Sequence, residues 1–234
     1  MTLYPLEAGL TAALWDLFSA DGPSEIAIDA LERQLDGDDL RVRNFLSSVR
    51  EHGSRAWLPR RSPGADLAVI GPDDEFGVAS ILAVIEIKAA AKANYPLLST
   101  AESLDELEGS SVASSIVASQ SESRADPGAN LSQLDLYRSR KWWKDSDGVR
   151  LDRPDSALWL VFDSRGRTID KAFRGTVQAN AWTAVNLHQY ADDLRGLRER
   201  AKLSRNHDDA IAVVLWHIDQ APGGNRTPEG QILH

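Results

Sequence analysis

The chain contains no cysteine. This absence excludes disulfide bonds, zinc sites with thiolate ligands and a cysteine nucleophile. No basic segment precedes the first apolar stretch, and Glu7 and Asp16 interrupt that stretch, so we do not expect a signal peptide. No apolar run approaches the roughly 20 residues that are needed to span a bilayer. We therefore expect a soluble, cytoplasmic protein with no membrane partner.

Positive charge is also scarce. The 234 residues include 26 Lys and Arg against 35 Asp and Glu, which gives a net charge of −9. This balance argues against a protein that coats nucleic acid by bulk charge, because such proteins are usually basic. A nuclease remains open, since carboxylates that hold a metal add negative charge and phosphate contacts can be local. The 42% of hydrophobic residues indicates a packed core.

The pattern along the chain predicts an α/β protein with a mixed central sheet flanked by helices. Residues 1–53 carry three helical patterns and form a segment packed on the core, with the third helix ending at Gly53. Residues 54–220 form the core, with a Ser/Ala-rich insertion at about 97–130, and residues 221–234 form a flexible tail. Strands are expected at 65–71, 77–88, 157–163 and 210–218, and helices at 131–143 and from about 177 to 203.

The apolar stretch LAVIEIKAA, residues 82–90, contains an acid and a base two positions apart. Alternate side chains of a strand share a face, so Glu86 and Lys88 point together while Ile85 and Ile87 point into a core. Charged groups leave water at a cost of several kcal/mol unless they are paired or bind a metal. The alternative is a salt bridge on an edge strand that faces solvent, which would stabilise the fold little.

Asp66 lies at the start of the preceding strand, and GPDDEF between the two strands has the composition of a turn. An antiparallel hairpin would bring Asp66 and Glu86 together at one end of the sheet. Two carboxylates and the backbone carbonyl of Ile87 make an oxygen site suited to Mg²⁺. Lys88 would position or help to deprotonate an attacking water there. The alternative for Asp66 is an ordinary turn residue.

Asp66, a hairpin and then Glu86-x-Lys88 resemble the PD-(D/E)XK nuclease superfamily, which includes restriction endonucleases, Holliday-junction resolvases and RecB-like exonucleases. The first half of the motif here is GAD, with Pro63 three residues before Asp66. The resemblance spans about residues 45–145. It implies a restriction-endonuclease-like fold and a metal-dependent hydrolysis of DNA that leaves a 5′-phosphate. Magnesium is the implied cofactor, with manganese as a substitute.

Two further features resemble this superfamily. QLDLY places Gln133 and Tyr137 four residues apart on one helical face, and it is similar to the Q-x-x-x-Y helix of the RecB-like branch, which contacts DNA and the active site. Glu51 lies in the helix before the first predicted strand, where many members carry a Glu that reaches the metal, although His52 competes for that role. Alternatively, Gln133 and Tyr137 are ordinary residues of a helix surface.

The most basic window is YRSRKWWKD, residues 137–145. Its cations would neutralise phosphates, and an exposed Trp would stack on a base. The candidate nucleic-acid contacts are Arg60, Arg61, Arg138, Arg140, Lys141, Trp142 and Lys144. The alternative is that Trp142 or Trp143 anchors the helix to the core while the basic residues favour the helix C-terminus. The five His residues show no metal-ligand spacing, and His217 is interpreted as a strand residue.

The sequence thus predicts a metal-dependent deoxyribonuclease, with restriction or phage defence as the first expected context and repair or recombination as the next. Two alternatives stay open: a non-catalytic interaction module on the same fold, and an RNase or effector nuclease. Both a homodimer and membership of a multi-protein defence or repair complex also stay open.

Overall fold

A computed structural model describes residues 4–19, 24–57, 65–73, 75, 79–89, 134, 137–138, 142–144, 150–152, 156–169 and 179–222. The predicted insertion at 97–130 and most of the predicted tail lie outside these residues. None of the helices in the described ranges combines the length and the apolar character that crossing a membrane requires.

Capping residues set the bounds of several helices. The helices are α1 (Tyr4–Phe18), α2 (Ser24–Glu32), α3 (Leu40–His52), α4 (Leu187–Arg198) and α5 (Arg205–Asp219). Asp39 caps α3 by accepting a hydrogen bond from the Arg41 amide at 2.8 Å, and the helix ends at Gly53, whose φ of 75° is a conformation that glycine adopts readily. Ser204 caps α5 in the same way. The prediction that the third helix ends at Gly53 is confirmed.

A mixed sheet forms the centre of the molecule. The strands are β1 (Arg55–Trp57), β2 (Leu67–Asp73), β3 (Ala79–Lys88), β4 (Trp142–Lys144), β5 (Arg150–Asp152), β6 (Leu158–Asp163) and β7 (Trp182–Asn186). Five of them form one sheet in the order β1-β2-β3-β6-β7, and β4 pairs with β5. The β1–β2 and β2–β3 pairs are antiparallel, whereas β3–β6 and β6–β7 are parallel. The predicted hairpin and the predicted mixed sheet flanked by helices are therefore confirmed.

Each face of the sheet has its own core. On one face Ile85 and Ile87 of β3 join buried residues of all five helices in what we call the helix-side core. On the other face Val84 joins a cluster rich in tryptophan, which we call the aromatic core, with Trp143, Trp159 and Trp182 among its members. Because side chains alternate along a strand, Glu86 and Lys88 continue the row of Val84 on the aromatic face.

Three predictions of secondary structure are wrong. Residues 142 and 143 were predicted as the end of a helix that begins at 131, but they belong to strand β4. Residues 210–218 belong to helix α5 and not to a strand, because the apolar run AIAVVLWHI also fits helical spacing: Ile211, Val214, Leu215 and Ile218 are buried, while Val213 and Trp216 are exposed. The region from 177 to 203 was predicted as one helix, but it contains strand β7 before α4 begins. Asn186 ends the strand and caps α4, so a single residue marks the change.

Candidate functional site

Side chains with the predicted chemistry gather at one edge of the sheet. Since β3, β6 and β7 are parallel, their carboxyl ends meet at the same edge. The antiparallel strand β2 begins there. Asp66 precedes β2 directly, and Glu86 and Lys88 are at the end of β3. The edge therefore brings together Asp66 with Glu86 and Lys88, which follow it by 20 and 22 positions in the sequence.

Glu86 and Lys88 are in direct contact inside the protein. Lys88 Nζ lies 2.5 Å from Glu86 Oε1. The exposed fraction is 1% for Glu86 and 4% for Lys88. Their strand is central, with β2 on one side and β6 on the other. The alternative of a salt bridge on a solvent-facing edge strand is thus excluded, and the pair is one whose desolvation has to be offset by its neighbours.

Asp66 faces the same pair from the neighbouring strand. Leu67 is the Cα partner of Ile85, so one further step of the register places Asp66 opposite Glu86. Asp66 Oδ2 accepts a hydrogen bond of 2.7 Å from the backbone N–H of Ile87. The residue is therefore not an ordinary turn residue, because its carboxylate is attached to the strand that carries Glu86 and Lys88.

Burial and mutual repulsion perturb the protonation of this cluster. Burial first, and then the charge of Asp66, raise the pKa of Glu86 to about 8, although Lys88 acts in the opposite direction. Burial also raises the pKa of Asp66, against the lowering effects of Lys88 and the Ile87 amide. Burial is the largest effect on Lys88 and acts to lower its pKa, but the charge and hydrogen bond of Glu86 together with the charges of Asp66 and Glu7 outweigh it, so this pKa is raised. Lys88 is thus the charged partner, and Glu86 is the acid that retains a proton near neutral pH.

A third acid influences the cluster and was missed in the sequence. The negative charge of Glu7, near the beginning of α1, raises the pKa values of Asp66, Glu86 and Lys88. The available signal was an acid that interrupts the apolar stretch of the first helix. That signal does not say which way the helix folds back, so Glu7 could not be assigned to the edge from the sequence.

The turn after β6 is a second feature that sequence reasoning missed. Asp163 is the Cα partner of Lys88 and is fully buried. The backbone N–H of Ser164 donates to the Lys88 carbonyl at 3.1 Å, and Ser164 Oγ donates to the Ala89 carbonyl at 2.7 Å. The signal was an apolar strand, ALWLVFD, that ends in an acid as β3 ends in a lysine. The turn fixes the end of the strand that carries the ion pair.

Other predicted residues lie elsewhere or form part of the core. Glu51 is exposed and accepts a hydrogen bond of 3.0 Å from Ser47 Oγ, so the structure does not bring it to the edge. Tyr137 is buried in the aromatic core, where its ring stands 6.3 Å from that of Trp143. Trp143 is buried in this core, as its alternative expected, but it lies on strand β4 and does not anchor a helix. The guanidinium of Arg138 lies over the Trp159 ring, 4.9 Å from the ring centroid.

The remaining predicted contacts fall outside the described residues. These are Gln133, Arg60, Arg61, Arg140 and Lys141, together with the side chains of Trp142 and Lys144. His217, predicted in a strand, lies on α5, and a Cβ on Gly9 of α1 would come within 2.4 Å of its ring. It therefore belongs to the contact between α1 and α5.

The oxygen atoms at this edge are of the type that a hard cation such as Mg²⁺ prefers as ligands. Within the described ranges no three side chains of His, Cys, Asp or Glu lie close enough together to hold one ion. Asp66, Glu86 and the Ile87 carbonyl would supply two carboxylates and one backbone oxygen. Mg²⁺ commonly binds one or two carboxylates and keeps several waters, so this donor set suits it. The mutual repulsion that raises the pKa of Glu86 is a further reason for a cation to bind here.

When the chain is compared with protein-family models, with curated proteins and with solved structures, it matches none of them.

Proposed function

We propose that this protein is a cytoplasmic, metal-dependent nuclease that hydrolyses phosphodiester bonds of DNA at the edge formed by Asp66, Glu86 and Lys88. The observation that carries the proposal is the buried Glu86–Lys88 pair on a central strand, with Asp66 hydrogen-bonded to the backbone between them. We propose further that the mixed sheet is of the restriction-endonuclease-like type. An acid at the start of one strand and Glu-x-Lys on its antiparallel neighbour support this assignment.

Asp66, Glu86 and the Ile87 carbonyl would hold the cation, which is Mg²⁺, with Mn²⁺ as a substitute. When bound, the cation supplies Lewis acidity toward the phosphate and lowers the pKa of its water. Asp66 is oriented for this role by the Ile87 amide, which donates to one carboxylate oxygen, and its carboxyl group also shares a hydrogen bond with the side chain of Glu86. Glu86 releases its proton as it becomes a ligand, because a metal binds the carboxylate form.

Lys88 supplies the positive charge that the protein itself contributes to the proposed site. Its ammonium is a compact charge with three donors, so it can orient a water and offset negative charge that develops on the phosphate. Ile85 and Ile87 hold its strand in the helix-side core, and Ser164 holds the backbone carbonyl of Lys88. The helix-side core and the turn after β6 therefore both fix the position of Lys88, as a preorganised group requires.

The test is a cleavage panel with the wild type and Lys88→Ala on supercoiled, linear and single-stranded DNA and on RNA. Each substrate is tried with Mg²⁺, with Mn²⁺ and with a chelator. We expect cleavage of DNA that requires the metal and that falls about 100-fold or more in Lys88→Ala, because the site loses its cation. Lys202→Ala is the matched control, since Lys202 is an exposed lysine in the turn between α4 and α5.

Circular dichroism of both variants separates loss of activity from loss of folding. Cleavage of RNA alone would favour the effector-nuclease alternative. Inert proteins on every substrate, or equal activity of wild type and Lys88→Ala, would overturn the catalytic proposal and favour a non-catalytic module.

A further inference from the structure

In addition to Asp66, whose charge acts on Lys88, two carboxylates flank this lysine on β3 and β6. Glu86 lies two positions along the same strand, and Asp163 is the Cα partner of Lys88 on β6. Both acids are on the aromatic face, because Asp163 continues the row of Trp159 and Val161. Adjacent strands are about 4.8 Å apart, which is within the length of a lysine side chain. The ammonium nevertheless lies 2.5 Å from Glu86 Oε1.

The carboxylate of Asp163 is occupied by the turn that follows it. Arg167 approaches with two nitrogens: Nη2 lies 2.6 Å from Oδ1, and Nε lies 3.2 Å from each oxygen. Oδ2 also accepts the backbone N–H groups of Arg165 at 3.1 Å and of Arg167 at 2.8 Å. Gly166, with φ of 60°, lets the turn reverse tightly enough for both amides to reach the same oxygen.

Because its oxygens already accept these hydrogen bonds, the carboxylate of Asp163 attracts a second cation only weakly. Both oxygens of Asp163 already accept several donors, and one of these donors carries a full positive charge. A lysine ammonium, in contrast, is a compact charge on a flexible stem, so it can turn toward a neighbouring carboxylate that lacks other donors. If Arg167 were removed, Asp163 would be a buried carboxylate with no counter-ion from its own turn, and it would compete with Glu86 for Lys88.

We propose that Arg167 is a positioning residue: by saturating Asp163, it keeps the ammonium of Lys88 on Glu86 and therefore at the edge where cleavage is proposed. The consequence for cleavage rests on the proposed function, whereas the consequence for the position of Lys88 does not. Arg167 need not touch the substrate in this role.

The experiment compares Arg167→Leu with the double variant Arg167→Leu/Asp163→Asn. In the crystal structure of Arg167→Leu we expect Lys88 Nζ to pair with Asp163, and in the double variant we expect it to pair with Glu86 again. With Mg²⁺ and DNA, kcat of Arg167→Leu should fall about tenfold with little change in KM, and the double variant should recover most of that loss. Rescue by removing a second charge is not expected of an arginine that binds a phosphate.

The possible results distinguish a failure of this inference from a failure of the proposed function. Lys88 still on Glu86 in Arg167→Leu overturns the inference, whether or not the wild type is a nuclease. A wild type that cleaves nothing overturns the proposed function and leaves the crystallographic comparison valid. A raised KM that Asp163→Asn does not rescue assigns Arg167 to the substrate instead and also overturns the inference.

A conservative variant of Arg167 and a matched control complete the experiment. If Arg167→Leu does not fold, Arg167→Lys and Arg167→Lys/Asp163→Asn are compared in the same way, because lysine keeps the charge and loses the two-nitrogen approach. Arg198→Leu is the matched control, since Arg198 forms a similar fork with Asp208, at 2.5 and 2.7 Å, between α4 and α5. It should alter neither kcat nor the position of Lys88.

Discussion

Glu86 shows how burial and charge together decide the state of a single side chain. An ammonium 2.5 Å away would ordinarily lower the pKa of a carboxyl group. Here burial and the negative charge of Asp66 outweigh that effect and raise the pKa of Glu86 to about 8. With Glu7 also near, three acids share one lysine, so the cluster is short of positive charge. The proton on Glu86 makes up part of this shortage.

This state predicts a pH dependence of stability in the absence of metal. The pKa of Glu86 is about 8 in the folded protein against an ordinary value of 4.5, so the folded state binds the proton more tightly. The resulting stability is fully present below about 4.5 and is lost as the pH rises through 8. Glu86→Gln imitates the protonated acid, so its stability relative to wild type should rise by about 1.4 kcal/mol for each pH unit in that window.

Urea unfolding of both proteins across this pH range, with a chelator present, measures the difference. Glu51→Gln is the control, because Glu51 is an exposed glutamate. Curves for wild type and Glu86→Gln that run parallel with pH would contradict the assignment of the proton to Glu86.

The core of the site could be predicted from the sequence because it is local. Alternation within β3 places Glu86 and Lys88 together, and a short turn brings Asp66 back to them. Glu7 and Arg167 could not be predicted in the same way. Their proximity to the site depends on how α1 folds back onto the sheet and on which strand lies next to β3. A short stretch of sequence predicts neither.

At the scale of elements, the packing of α1 against α5 depends on one small residue. A Cβ on Gly9 would stand 2.4 Å from Cε1 of His217 and 3.0 Å from its Nδ1. The ring of His217 is partly buried, and burial lowers its pKa. Glycine inside a helix is normally a cost of up to about 1 kcal/mol relative to alanine. Its presence here is explained by the space that the imidazole takes.

Gly9→Ala should therefore destabilise the protein, by about 1 to 3 kcal/mol, because overpacking exceeds the gain in helix propensity. Gly196→Ala in α4 is the control and should stabilise it by about 0.5 kcal/mol, since the nearest atom to a new Cβ, Arg200 Nη2, is 3.8 Å away. Urea unfolding measures both. In a His217→Ala background the Gly9→Ala change should become favourable; a cost that persists there would show that the ring is not its cause.

The elements also show where periodicity misleads. The hairpin of β2 and β3 was predicted because its apolar runs are bounded by glycine and proline. Helix α5 was predicted as a strand because Val213 and Trp216, which are exposed, fill the gaps between its buried residues and produce a continuous apolar run. Strand β7 has only five residues, too few to interrupt a helical pattern on either side.

At the scale of the whole molecule, strand β3 contributes side chains to both cores, and the charged cluster lies at the carboxyl end of this strand. The helix-side core fixes Ile85 and Ile87, and the aromatic core continues the row of Glu86. With a net charge of −9, the chain would not attract the proposed DNA substrate to this edge by bulk charge. We expect local cations, partner proteins or sequence specificity to do so, with Arg138 at the rim of the aromatic core as one local cation.

Metal binding should stabilise the whole molecule, and more so at high pH. A ligand that binds the folded state raises the melting temperature, and here the metal has to displace the proton of Glu86. We expect Mg²⁺ to raise the melting temperature more at about pH 9 than at about pH 6. Calorimetry with Mg²⁺ or a chelator at both values measures this for wild type, Asp66→Asn and Glu51→Gln.

Asp66→Asn should lose most of the Mg²⁺ effect, and Glu51→Gln should retain it. An equal rise at both pH values, or a rise that Asp66→Asn leaves intact, would contradict binding at this edge.

The contact between α1 and α5 has a consequence for how the chain is made. Helix α1 leaves the ribosome before the sheet, yet the helix against which it packs most extensively, α5, is translated after the sheet. The apolar face of α1, with Leu10 and Leu14, is therefore uncovered until α5 has been made, and chaperones can bind it during that interval. Glu7 is carried by the same helix. The charged edge can thus reach its final form only after α5 has been made, and a ribosome-bound fragment that ends before α5 would lack the last part of it.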